Sequence, residues 1–96
     1  MIQSFGDQTT EDVWDGVSNA RTRKLPPDVL NVAPRKLDLL NAAASVDDLR
    51  APPGNRLEQL KGDLAGFHSI RINSQWRIIF RWTDAGPTDV RIIDYH

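Results

Sequence analysis

The period of the apolar residues changes once along the chain, and this change limits the fold more than any other feature of the sequence. Upstream, Val29, Val32, Ala33, Leu37, Leu40 and Ala44 recur at three- and four-residue steps, the spacing that puts side chains on one face of a helix. From Arg56 the period falls to two. Leu57 to Leu60, Phe67 to Ile72, Trp76 to Trp82 and Val90 to Ile93 read as strands, separated by turn residues at 61–66, 73–75 and 83–88. The last two gaps suit hairpins, so the sheet is expected to be mainly antiparallel. Helices followed by strands predict an α+β class, with an amphipathic helix covering one sheet face and the other face open to solvent. Ninety-six residues suffice for one domain, residues 1–96, whose site must be a shallow surface rather than a deep chamber.

Local signals refine this outline. Ile2 to Phe5 reads as a short N-terminal strand stopped by Gly6 and Asp7, after which Thr9 or Thr10 can cap a brief helix carrying Val13, Trp14 and Val17. Residues 19–24 contain Arg21, Arg23 and Lys24 without apolar periodicity and suit a mobile loop that can order on meeting an anion. Pro26 and Pro27 are placed to open the main helix. Pro34 predicts either a kink or a true start near Ala33, because its ring removes one hydrogen bond and crowds the Leu30 carbonyl. Ser45 and Asp48 have capping-box spacing for one more turn, Val46 to Leu49, which Pro52, Pro53 and Gly54 end.

Composition removes several chemistries. Without cysteine there is no disulfide, no thiolate nucleophile and no Cys-based metal site. Two histidines and the absence of HExxH, P-loop, GxGxxG and GxSxG patterns lead to the expectation of no metal and no cofactor. No leader-like N-terminus and no apolar run near the about 18 residues of a membrane span imply a cytoplasmic protein without a membrane partner. The first 50 residues carry six basic and eight acidic side chains, the remainder six and five, so the strand half is mildly basic.

Alternation then decides where those charges point. In Trp76 to Trp82, Trp76, Ile78, Phe80 and Trp82 share the core side, while Arg77, Ile79 and Arg81 share the other. His68, Ile70 and Ile72 oppose Phe67, Ser69 and Arg71, and Val90 and Ile92 oppose Arg91 and Ile93. Arg71, Arg77, Arg81 and Arg91, with Arg56 nearby in the chain, are therefore candidate phosphate-binding residues on one sheet face. From alternation alone, arginines that merely solvate an open sheet are the simpler account. Asp94, Tyr95 and His96 place a carboxylate, a phenol and an imidazole at one strand end, a set suited to acid–base work although a terminal histidine is often frayed. Lys61, Gly62 and Asp63 read first as a turn, in which Lys61 can reach a phosphate, and His68 reads as a packed histidine at the core edge.

The strings Pro52-Pro53-Gly54-Asn55-Arg56-Leu57-Glu58, Leu60-Lys61-Gly62-Asp63, Ser69-Ile70-Arg71-Ile72-Asn73, Gln75-Trp76-Arg77-Ile78 and Asp94-Tyr95-His96 together resemble the HigB-like plasmid-maintenance killer proteins, a branch of the RelE/ParE toxin superfamily. The resemblance spans nearly the whole chain and is strongest in its C-terminal half. It implies a microbial-RNase-like α+β domain that enters the ribosomal A site and cleaves messenger RNA without metal, by attack of a ribose 2′-hydroxyl on the adjacent phosphate. Carried onto this sequence, it implies that Arg77 stabilises the pentavalent phosphate with help from Lys61, and that His96 is the leading acid or base. Tyr95 would stack on or donate to the substrate, and Asp94 would hold the cluster in place. Some relatives have histidine three residues before the Lys-Gly-Asp turn, where this chain has Glu58. Glu58 is then either the base that takes the 2′-hydroxyl proton or an ion-pair partner of a neighbouring arginine. The resemblance also implies a HigA-like helix-turn-helix antitoxin as partner, with operator DNA contacted only through it. The competing reading is a docking inhibitor of the gyrase-poisoning ParE kind, against which the terminal Asp-Tyr-His speaks.

Overall fold

Pro26, with an extended backbone, and Pro27, at the first helical position, start helix α2 (Pro27–Ala42) in the computed structural model, which describes residues 1–95. Val29, Ala33, Leu37 and Leu40 are fully buried along its inner face, while Ala44 lies exposed beyond its end. The helix runs unbroken through Pro34, so the start expected near Ala33 is not found. An internal proline costs about 3 kcal/mol, whereas each large side chain buried here returns about 1.5 to 3 kcal/mol. Packing of the one face outweighs the lost hydrogen bond. The Ser45–Asp48 capping box is present, starting a 3-10 turn over Val46–Arg50 that buries Leu49.

Helix α1 (Gln8–Asp15) is capped by Asp7 rather than by Thr9 or Thr10: the Asp7 carboxylate accepts from Thr10 N at 2.8 Å. Thr10 is buried instead, and its Oγ1 accepts from Ile92 N at 2.9 Å, which fastens α1 to the sheet. Val13 is buried and Trp14 packs on the core, but Val17 lies past the helix end and is exposed. The loop expected at residues 19–24 is ordered. Asn19 Oδ1 accepts from Thr22 N, Thr22 Oγ1 accepts from Asn19 N, both at 3.0 Å, and a 3-10 turn follows over Thr22–Lys24. Asp12 ties this segment down through Asn19 at 2.8 Å and Arg21 at 2.9 Å, and those bonds, with one from Gln8, hold its carboxyl below the ordinary aspartate value. Apolar periodicity carries no information about a segment held by side-chain hydrogen bonds, so the pattern missed it.

Strands β1 (Glu58–Gln59), β2 (His68–Arg71), β3 (Trp76–Thr83) and β4 (Gly86–Asp94) pair in that order, each antiparallel to the next. The expected N-terminal strand is reduced to an extended segment lying parallel to β4 through one bridge, Phe5 to Val90. Gln3 N donates to Pro87 O at 2.8 Å and Gly6 N to Val90 O at 2.9 Å, so the segment closes the β4 edge. The α+β class and the mainly antiparallel sheet agree with the sequence reading. Ile70, Ile72, Ile78, Phe80, Val90 and Ile92 meet both helices, and His68 stacks on Phe80 at 5.7 Å between ring centres.

The opposite face differs from expectation, because it is not simply open to solvent. Leu60, Phe67 and Ile79 form a second buried cluster there, joined by Leu64, Ile93 and Tyr95. Residues 60–66 fold back at the end of β1, with Leu60 N donating to Phe67 O at 2.9 Å, and bring Leu60 and Leu64 over the sheet. Arginines and a small apolar core therefore share this face.

Candidate functional site

Register places Glu58, Ser69, Ile79 and Arg91 in one row across the four strands, and Arg71, Arg77 and Ile93 in the adjacent row. Residues directly opposite in a sheet share a face, so these side chains rise on the side away from the helices. Tyr95 continues it two residues beyond Ile93. Arg77, with only 11% of its side chain exposed, is the best-held of the arginines. One terminal nitrogen donates to Ser69 Oγ at 3.0 Å and to Arg56 O at 3.2 Å, the other donates to Glu58 Oε1 at 3.1 Å, and the guanidinium carbon lies 5.3 Å from the centre of the Tyr95 ring. Five N–H donors radiate from a guanidinium. Three are engaged, which leaves two without a partner among the described residues.

The local sequence explains how Arg56 supplies a carbonyl. Pro53–Asn55 form a 3-10 turn, after which Arg56 takes a left-handed conformation at φ 45° and turns its backbone toward β3. Asn55 is fully buried and fixes the turn: its amide donates to Leu49 O and Ala51 O, each at 3.2 Å, and its Oδ1 accepts from Lys36 Nζ of α2. Burial, with Arg35 beside it, pushes the Lys36 ammonium below the ordinary lysine value. Ser69 is likewise fully buried, so its hydroxyl has no water to compete for the Arg77 guanidinium.

The residues named from the sequence do not all come together. Arg77, Glu58 and Tyr95 come together, with Arg71 directly across the strand pair from Arg77. Glu58 is half exposed and paired with Arg77. Arg81 and Arg91 lie apart from this group, both over the Phe67 ring, at 4.3 and 5.4 Å from its centre. Lys61 is exposed at the start of the 3-10 turn Gly62–Leu64, and the Arg56 side chain is exposed while its backbone is engaged. Asp94 pairs in register with Trp76 and accepts from Gln75 Nε2 at 3.0 Å. Alternation sends it to the helix side of the sheet, opposite to Tyr95, so these two neighbours are parted by the strand's own geometry. His96 lies outside the described residues.

Ser69, Asn55 and Lys36 hold the site without having been selected from the sequence. For Ser69 a signal existed, since alternation already placed it on the arginine face. Asn55 and Lys36 are 19 residues apart, and nothing in their spacing marks a contact. Among the described residues no group of three or more His, Cys, Asp or Glu side chains converges as a metal-ligand set would, and no helix is long and apolar enough to cross a membrane.

Comparison with known proteins identifies the family. The model of a family described as the RelE-like toxin of the type II toxin–antitoxin system HigB matches residues 3–96. Toxin HigB-1 of Vibrio cholerae serotype O1 is 44% identical over 84 residues, covering 88% of this chain and 86% of the relative. An uncharacterized protein of Haemophilus influenzae is 41% identical over 59 residues, covering 62% and 58% respectively. Among solved structures, YafQ from E. coli aligns with a TM-score of 0.64 at 21% identity over 98% of this chain and 91% of that one. The YoeB-YefM complex from Staphylococcus aureus aligns at 0.61 and 14% identity over 100% and 98%. These two likenesses concern the fold. The family match over nearly the full length, together with the 44% identical relative, establishes that this chain belongs to the HigB-like family of RelE-type toxins of type II toxin–antitoxin systems.

Proposed function

We propose that the chain arrests translation as a ribosome-dependent endoribonuclease that cuts messenger RNA in the A site, and that a HigA-like helix-turn-helix antitoxin restrains it. The observation that carries this reading is Arg77. Its plane is fixed by Ser69, Arg56 and Glu58 while two N–H groups have no partner among the described residues, which suits a phosphate that gains negative charge as it becomes pentavalent. In the reaction the ribose 2′-oxygen forms a bond to phosphorus and the bond to the 5′-oxygen breaks, giving a 2′,3′-cyclic phosphate and a 5′-hydroxyl. Glu58, 3.1 Å from the guanidinium, is assigned to take the 2′-proton as base. His96 is assigned to protonate the leaving 5′-oxygen, and Tyr95, already against Arg77, to stack on or donate to the nucleotide. Lys61, Arg71 and Arg56 supply positive potential around the scissile phosphate. Asp94, bound by Gln75, is assigned to brace the strand end that carries Tyr95 and His96.

Primer extension on a message translated in a purified system, with and without ribosomes, tests this. Wild type is expected to cut within translated codons only when ribosomes are present. Arg77→Ala and deletion of His96 should each abolish the cuts, and Glu58→Gln should slow them. If wild type leaves the message intact while still arresting growth in cells, the nuclease reading fails and a docking inhibitor replaces it. Glu58→Gln cutting at the wild-type rate removes Glu58 from the chemistry.

A further inference from the structure

Arg81 and Arg91 converge on one aromatic ring, an arrangement that the chemistry at Arg77 leaves unused. We propose that they form a second phosphate subsite, which takes the phosphodiester of a nucleotide flanking the scissile one; the assignment rests on the nuclease reading above. Several features build the place. Each arginine is seated where a glycine leaves room: a Cβ at Gly66 would come within 2.9 Å of an Arg81 terminal nitrogen, and one at Gly6 within 2.5 and 2.6 Å of Arg91 Cγ and Cδ. The β3–β4 register slips between Ile79 and Arg81, with Asp89 in a left-handed conformation at φ 53°. This slip brings the Asp89 carboxylate to 3.7 Å from Arg81 Nε. Arg91 has no carboxylate partner among the described residues, so two guanidiniums share one counter-charge.

Phe67 itself is only 6% exposed and covered by the two cations, so it does not offer a platform for a base. The subsite therefore recognises phosphate and not sequence. Its position fits the same strand of RNA. Arg91 stands two residues and Arg81 four residues along the sheet from the Arg77 row, displacements of about 7 and about 13 Å. One or two extended nucleotides span such a distance.

The test couples protein and message changes. Phosphodiesters on either side of the cut are replaced one at a time by uncharged methylphosphonates, and kcat and KM are measured on programmed ribosomes. For one linkage, wild type is expected to lose about 10- to 100-fold in kcat/KM, the range of a charge-assisted hydrogen bond. Arg81→Gln/Arg91→Gln should show a comparable loss on the natural message, through KM with kcat retained, and should no longer respond to that replacement. Arg81→Lys/Arg91→Lys should recover part of the affinity together with the response to that replacement, and it is this response that a merely structural role beside Phe67 does not predict. Wild type insensitive to every flanking replacement, or a double variant that suffers the same additional loss as wild type, overturns the subsite. If wild type leaves the unmodified message uncut, the nuclease reading falls separately. The same cycle is then read from binding of the chain to those ribosomes, where absence of coupling overturns the subsite.

Discussion

Replacing Asn55 with alanine tests how the fold supports the site. The side chain is fully buried and makes three hydrogen bonds, two to backbone carbonyls and one from the Lys36 ammonium. Neutral bonds are worth about 1 kcal/mol each and a charged one about 1.5 to 3 kcal/mol, so their removal costs about 3.5 to 5 kcal/mol. A chain of 96 residues has a total stability of about 5 to 14 kcal/mol, which makes this a large share. Urea titration followed by tryptophan fluorescence should place the midpoint of Asn55→Ala about 2 M below that of wild type. Asn55→Asp retains the acceptor for Lys36 but not the donors to Leu49 and Ala51, and should fall between the two. Under conditions where Asn55→Ala is still folded, it should cut message more slowly, because Arg77 no longer finds the Arg56 carbonyl held in place. A loss of stability below about 1 kcal/mol would show that the loop from Ala51 to Arg56 is held by something else, and the positioning argument would be refuted.

Two further outcomes follow from the same geometry. Ser69→Ala removes one acceptor from Arg77 in a buried setting and should lower single-turnover cleavage about 10-fold while leaving KM within about twofold; an unchanged rate would mean that Glu58 and the Arg56 carbonyl suffice. Asp12 has its carboxyl lowered chiefly by the Asn19 hydrogen bond, so its contribution to stability is complete above the ordinary value of 3.8 and is lost as pH falls through the lowered one. Asp12→Asn should therefore be less stable than wild type at neutral pH, with the gap closing in strong acid; a gap constant from pH 7 to pH 2 contradicts this assignment.

Apart from the N-terminal segment, which is no strand, periodicity alone specified the order of the main helix and the strands, the antiparallel hairpins and which side of the last three strands faces the core, because a strand gives its side chains only two directions and burial selects one. It also put Arg71, Arg77, Arg81 and Arg91 on a common face, which register confirms row by row. Tertiary structure decided how that face is divided. Arg77 differs from Arg81 only through its surroundings: Ser69, the Arg56 carbonyl and Glu58 meet it, whereas Phe67 and Asp89 meet Arg81. These partners come from segments far apart in the chain, and their meeting depends on the bulge in β4 and on the turn that Asn55 and Lys36 lock. The sequence determined side-chain direction because direction is a local property of the backbone. The choice of partner depended on contacts between distant segments, which exist only after the chain has closed upon itself.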